Sequence, residues 1–459
     1  MLSAFILSLR ANLSSEAQIL TDASHVAFKT TLERWSNEGL QIPGAIIRPT
    51  TERDVAITVK AAKKHSVPFV PASGGHSPWS TIDTSGFILD LGLLKSIIVE
   101  PKSNSVKIAG AVLVKELAIA LSEAGRCTTL GNGNTVGVIP YCIGGGINIL
   151  AAIIGFACDQ ILSAKIVTAD GEIIETSQES EPELFWAIKG AGQFFGVVLE
   201  LTLKTFPLSI LGPSDGCHWV GNFVYSLDHA ENVCNVLESL MVTSEHNTAG
   251  LIMVMAPPPA FQPMLAVIPH YFGDPEKAPA AFKALSDLQP LLSSASNMSF
   301  VEFRDSMDYA CVKGDFKRFS VAGIPKFKTK SFLKVIDLFK ELLDSCPDAS
   351  ASGYAFEWHT AITELQPQDS AFGFQDQLLW MNCFSWYHQP ENHNVVVDFE
   401  ARALAAMRDG QVENDFVDYP NSNRISSIER RYPGEARIEK LRTLKQKWDP
   451  RGIFTQQLL

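Results

Sequence analysis

Long apolar runs are missing from this 459-residue chain; none approaches the roughly 18–20 residues that a bilayer-spanning helix needs, so no membrane partner is expected. Paired cysteines are missing too. The eight cysteines are scattered with no CxxC pair, which removes the spacing of a structural zinc site and of a thioredoxin-like redox motif. HExxH is absent, and the ten histidines do not cluster apart from His388 and His393 in HQPENH, a solvated loop by composition, so no metal is expected. No GxSxG elbow anchors a hydrolase triad. Positive charge is in deficit: 38 Lys and Arg against 50 Asp and Glu leave a net charge of -12, and such a surface repels phosphate backbones, so nucleic acid is not an expected partner. Neither of the two common nucleotide signatures, GxGxxG on a strand–turn–helix unit and GxxxxGK[ST], is present in a convincing place. Gly190-Ala191-Gly192, for instance, runs into Gln193, Phe194 and Phe195.

What is present describes a folded protein. Hydrophobic residues make up 46% and charged residues 19%, a globular balance, and the length suffices for two domains with good cores. The start, MLSAFILSLR, has an apolar part shorter than a usual signal-peptide core and no small-residue cleavage site behind it, which points to a cytoplasmic protein. Asn12-Leu13-Ser14 and Asn297-Met298-Ser299 match glycosylation sequons, a pattern that arises often by chance.

Along the chain, GAIIRP and VPFVPA have strand character, and TERDVAITVKAAKKHS between them opens with a Thr-x-x-Asp cap and continues at helical spacing. GFILDL and KSIIVEP follow as strands and VLVKELAIALSEAG as a helix ending at a glycine. AKIVTADGEIIETS has the form of a hairpin turning at Asp170-Gly171. Between these pieces lie glycine clusters at Ser73–Ser77 (SGGHS), Thr135–Val138 (TVGV) and Gly144–Gly146. Ser73–Ser77 can form a nest of backbone N–H groups for a pyrophosphate, and the others can let a flat cofactor lie against the main chain; tight turns inside a core are the alternative. Glycines thin out after Phe206-Pro207, where a second domain begins and runs to about Asp415. The tail ends in a charged helix, Glu435 to Trp448, closed by Asp449-Pro450.

Taken in order, SGGHS, TVGV, GGG, GFACDQILSAKIVTADG (155–171), PELFWAIKGAGQFFGVV (182–198), YPN (419–421) and LKQKWDPRGIF (444–454) resemble the berberine-bridge-enzyme-like flavoprotein oxidases of the vanillyl-alcohol-oxidase group. The resemblance implies an α+β fold: a two-subdomain FAD-binding domain over 1–207, a substrate domain with an antiparallel sheet backed by helices over 208–415, and a C-terminal segment, 416–459, returning to the first. It implies FAD, attached covalently through His76 to the flavin 8α-methyl carbon. Ser73, Gly74, Gly75, His76, Ser77, Gly131, Thr135, Val136, Gly137, Gly145, Gly146, Ile161, Val198 and Asn421 are the expected cofactor contacts. Three positions depart from the family pattern. Gly133 stands where many members carry a second attachment cysteine, so His76 is the only expected tether, with Cys127 and Cys142 as core thiols. Ala72 replaces an arginine, and Asn148 the last glycine of GGGxG.

Hydride transfer to a flavin needs a general base near the substrate. Tyr419 of the YxN motif is one candidate, provided its pKa is lowered. Glu357 and His359, two apart in FEWH and so on one strand face, are the others, with Trp380 and Asn382 nearby. Tyr141 stands where many members have a histidine. Val136, at a position linked to oxygen access, favours an oxidase using O2 on a small, hydrophobic secondary metabolite, with oxidative ring formation as one outcome. The competing possibilities are a non-redox isomerase or cyclase on the same scaffold and a flavin-bearing binding protein. Substrate identity and oligomeric state are not encoded in these motifs.

Overall fold

The computed structural model describes residues 1–213, 216–243, 247–360, 369–422 and 426–454. Its first sheet has the order Gln18–Leu20, Ala45–Arg48, Phe87–Asp90, Phe69–Ala72; the outer pair is antiparallel and the other two are parallel. The helix expected between the second and fourth of these is Glu52–His65. Its Thr51 hydroxyl accepts from the Asp54 N–H, and Asp54 reaches back to the Thr51 N–H, the reciprocal cap that the Thr-x-x-Asp spacing encodes. The start of the chain folds onto this layer as the helix Leu2–Arg10, with Phe5 stacked on Phe87 at 4.6 Å.

A second sheet is wholly antiparallel, in the order Lys95–Glu100, Ser105–Gly110, Val197–Lys204, Ile161–Val167, Ile173–Ser177. The hairpin expected at Asp170-Gly171 is its last pair. Against this sheet packs the glycine-dense middle, broken into the short helices Val138–Ile143 and Ala151–Ile154 and a 3-10 turn at Ala157–Gln160.

The third sheet has eight antiparallel strands: Leu292–Met298, His218–Ser226, Met264–Tyr271, Thr248–Met255, Gly353–His359, Leu379–Tyr387, Phe316–Gly323 and Val417–Asp418. Alternation along each strand gives it two different faces. Ile252, Val254, Phe356, Trp358, Met381 and Cys383 point to one side and pack against the helices Ala230–Thr243 and Thr329–Ser345. Phe332, Val335, Ile336 and Phe339 of the latter recur at three- and four-residue spacing, which is why it is a helix with one apolar stripe. Ala249, Val321 and Trp380 point to the other side and join the core that includes the second sheet. Glu357 and His359 lie on that same side, because they alternate with Phe356 and Trp358. The stretch HQPENH is not a free loop: His393 opens the helix His393–Met407.

The tail ends as expected in the helix Glu435–Trp448. Its buried Lys445 ammonium donates to the Phe194 carbonyl at 2.7 Å and pairs with buried Asp449 at 2.7 Å, while Asp449 accepts from the N–H groups of Ile453 at 2.9 Å and Phe454 at 3.2 Å. This clasp gives the WDPRGIF stretch a structural purpose. The last five residues of the expected C-terminal segment lie outside the described residues. Breaking such a pair from one side leaves a bare buried charge. Asp449→Ala is expected to destabilise the fold by about 3–5 kcal/mol, and Lys445→Met with Asp449→Leu by less, as read from thermal unfolding midpoints.

Candidate active site

Two loops meet through their main chains. A Cβ on Gly74 would lie 2.4 Å from the Thr135 carbonyl oxygen and 2.6 Å from the Gly137 nitrogen, and one on Gly137 would lie 2.3 Å from the Ser73 hydroxyl. Only glycine allows this approach. Among the described residues, the backbone N–H groups of Gly74, Gly75, His76 and Ser77 have no acceptor, and the buried Ser73 hydroxyl has no partner. Unsatisfied donors beside a cradle that side chains would fill suit a bound phosphate-bearing cofactor, so the residues present fit FAD. Ile161 and Val198 sit in the second sheet with their side chains in the core, leaving only main chain to touch a ligand. Asn421 donates from Nδ2 to the Pro140 carbonyl at 3.1 Å, beside Gly144. Ala72, where an arginine was the family's residue, is a buried strand end opposite Asp90.

His76 is held at this junction. Its Nε2 lies 2.6 Å from the Thr135 hydroxyl and its ring stacks on Trp35 at 5.6 Å and 21°. Trp35 is itself fixed, donating from Nε1 to Ala310 O at 2.7 Å. Nearby, the Lys317 ammonium is capped by three carbonyls, of Trp35, Val312 and Gly314, at 2.7–2.9 Å. Exclusion of solvent, then the positive charges of Lys317 and Lys313, push the His76 pKa down to about 4. The imidazole is therefore neutral near pH 7. Neither Trp35 nor Lys317 belongs to a local motif, and only the fold brings them here.

Across the cleft stands Glu357, 4% exposed. Its strand neighbours in register are Leu251 and Trp380. One carboxyl oxygen, Oε2, faces the Asn132 amide nitrogen at 3.4 Å, and the other, Oε1, has no partner among the described residues. Burial pushes its pKa up to about 7, against the lowering effect of Asn132. His359 has an edge-on contact with Phe156 at 5.5 Å, and burial takes its pKa down to about 4. Tyr419 accepts from the Gly146 N–H at 2.9 Å and packs among Phe372 and Trp380. Burial raises its pKa, so the lowering that a base role for Tyr419 asks for is not found. Tyr141 likewise stays protonated, donating to the Ile147 carbonyl at 2.7 Å. The structure thus makes neighbours of Glu357, Tyr419 and Tyr141, and Asn132 joins Glu357 to the loop that leads into Thr135. Sequence patterns did not single out Asn132 or Phe372.

Comparison with known proteins agrees with this geometry. Residues 43–177 match the FAD binding domain family. The whole chain is similar to the FAD-linked oxidoreductase hasG of Aspergillus fumigatus, 27% identical over 96% of each chain. Among solved structures, the BBE-like 1 protein of Physcomitrella patens superposes with a TM-score of 0.83 at 17% identity, covering 99% of this chain and 98% of that one. A glucooligosaccharide oxidase from Acremonium strictum, whose flavin is described as 6-S-cysteinyl, 8α-N1-histidyl FAD, superposes at 0.82 and 18% identity with the same coverage. The chain thus carries an FAD binding domain, is similar along nearly its whole length to curated FAD-linked oxidoreductases, and has the fold of the BBE-like structure.

Proposed function

We propose that this oxidoreductase is an oxidase that removes a hydride from a small, hydrophobic secondary metabolite, with FAD tethered through His76 alone and O2 as the final electron acceptor. The observation that carries this is Glu357: a buried carboxyl with one free oxygen, titrating near neutrality, beside a cradle suited to FAD. When bound, FAD supplies the hydride acceptor. Glu357 takes the proton from a substrate O–H or N–H, which makes the adjacent carbon a better hydride donor. Tyr419 and Tyr141, kept protonated, hold hydrogen bonds rather than charge. Trp380 and Phe372 are buried rings packed beside Tyr419, so the surroundings of the site are apolar, which supports a hydrophobic substrate. Loss of a proton and a hydride from such a molecule leaves an electrophilic carbon, from which ring closure can follow.

The tether is supported by the arrangement at His76. Thr135 engages Nε2, and Nδ1 makes no hydrogen bond among the described residues; in the tautomer in which Nε2–H donates to Thr135, the lone pair lies on Nδ1, the nitrogen named N1 in the 8α-N1-histidyl linkage of the glucooligosaccharide oxidase. Gly133 provides no thiol, consistent with a single link. The side chain of Val136 packs against the main core and leaves only a small apolar group at the position tied to oxygen access.

Two outcomes are expected. Anaerobic mixing with a substrate from a metabolite panel bleaches the visible flavin absorbance, and admitting oxygen restores it with stoichiometric oxygen uptake. Product formed without bleaching or uptake would instead establish the isomerase or cyclase alternative. Second, kcat/KM rises with pH through about 7, because Glu357 must lose its proton to act as base. Glu357→Gln abolishes that limb and lowers kcat by roughly 10²–10⁴-fold; an unchanged rate removes Glu357 from the chemistry.

A further inference from the structure

Glu357 is reached by a chain of amides whose polarity is settled by chemistry rather than by choice of rotamer. The Leu150 N–H can only donate, and it meets Asn148 Oδ1 at 3.0 Å. The Asn148 amide nitrogen must then face outward, and it donates to Asn132 Oδ1 at 2.6 Å. That in turn leaves the Asn132 nitrogen facing Glu357 Oε2, at 3.4 Å. Asn148 is fully buried and stands where the resemblance described above has a glycine.

The loop carrying Asn132 is also clamped on both sides by one segment of the substrate-side unit. The buried Arg304 guanidinium donates from Nε to the Gly131 carbonyl at 3.1 Å. Asn134 donates to Asp305 at 2.9 Å and to Asp308 at 2.7 Å. A donor held on a clamped loop is pre-organised, and a pre-organised donor orients what it touches. The other groups around Glu357 do not compete for this role. Leu251 and Trp380 flank it on the neighbouring strands, His359 is two residues along its own strand, and the facing helix Val138–Ile143 offers Tyr141, whose hydroxyl is committed to Ile147. The Tyr419 hydroxyl accepts from the Gly146 N–H, and the Arg304 guanidinium donates to the carbonyls of Gly131 and Phe300.

We infer that Asn148 and Asn132 are positioning residues that anchor Glu357 by Oε2 and present Oε1 to the substrate. This rests on the assignment of Glu357 as the base. It links the two halves of the site: the loop that leads into Thr135 and Gly137 of the cradle aims a carboxylate borne on the opposite sheet.

The test uses the flavin-loaded protein with Asn148→Gly, which restores the family residue, and Asn132→Ala, which removes the last donor at a half-buried position and serves if the first variant does not fold. Flavin content is measured first and is expected to match the parent. The Glu357 carboxyl is titrated by infrared difference against Glu357→Gln, a readout independent of turnover. Losing a donor to the charged form should raise the midpoint by about one pH unit in both variants, with the acid limb of kcat/KM moving equally. In the same variants kcat falls about tenfold while KM stays within about twofold. If midpoint and limb stay in place while only stability or flavin content drops, the asparagines are structural and the inference is overturned. If Glu357→Gln turns over at the parent rate, the base assignment falls and takes this inference with it. If Glu357→Gln is slow and the asparagine variants are unshifted, the inference alone falls.

Discussion

The site depends on two stretches of main chain lying closer than any side chain allows. Gly74 meets the Thr135 carbonyl and the Gly137 nitrogen at distances that a Cβ would close to 2.4 and 2.6 Å. That approach sets the Thr135 hydroxyl beside His76 Nε2 and leaves four N–H groups and the Ser73 hydroxyl without a protein partner among the described residues. Histidine after two glycines is then not a freely solvated loop residue. It is a neutral nucleophile held on a shelf, stacked on Trp35 and kept uncharged by exclusion of water and by Lys317.

The second wall of the cleft follows from strand alternation. In FEWH, Phe356 and Trp358 are committed to the helical layer, so Glu357 and His359 face the other side, towards the core that includes the second sheet. A carboxyl in that position loses water and gains only one long hydrogen bond, and its pKa climbs towards neutrality. The same burial that lifts the Glu357 carboxyl towards neutrality keeps Tyr419 and Tyr141 protonated, so three neighbouring acids divide into one shifted towards the working range and two that are not.

Much of this was legible in local patterns. The Thr51–Asp54 cap, the hairpin at Asp170-Gly171, the terminal helix Glu435–Trp448 and the order of glycine motifs are each written in consecutive residues. The i, i+2 pairing of Glu357 and His359 was legible for the same reason. What escaped sequence reasoning is long-range. Trp35 and Lys317 reach His76 from 41 residues before it and 241 residues after it, and Asn132 reaches Glu357 across 225 residues. The lowering that a base role for Tyr419 asks for is not found because a phenol's pKa depends on its burial, which the YxN motif does not encode. Asn148 was visible only as a departure from a pattern; its meaning appeared once Leu150 fixed which way its amide points.

The claim on which the account turns is that the glycine shelf makes His76 the sole covalent anchor of the flavin. Proteolysis of the purified, acid-washed protein followed by peptide mass spectrometry tests it directly. The account predicts that the peptide spanning Ser73–Ser77 carries the mass of FAD, that fragmentation places it on His76, and that no cysteine peptide is flavinylated. An unmodified His76 peptide from a protein whose flavin is wholly released by acid, or a flavin bonded to any cysteine, would contradict it.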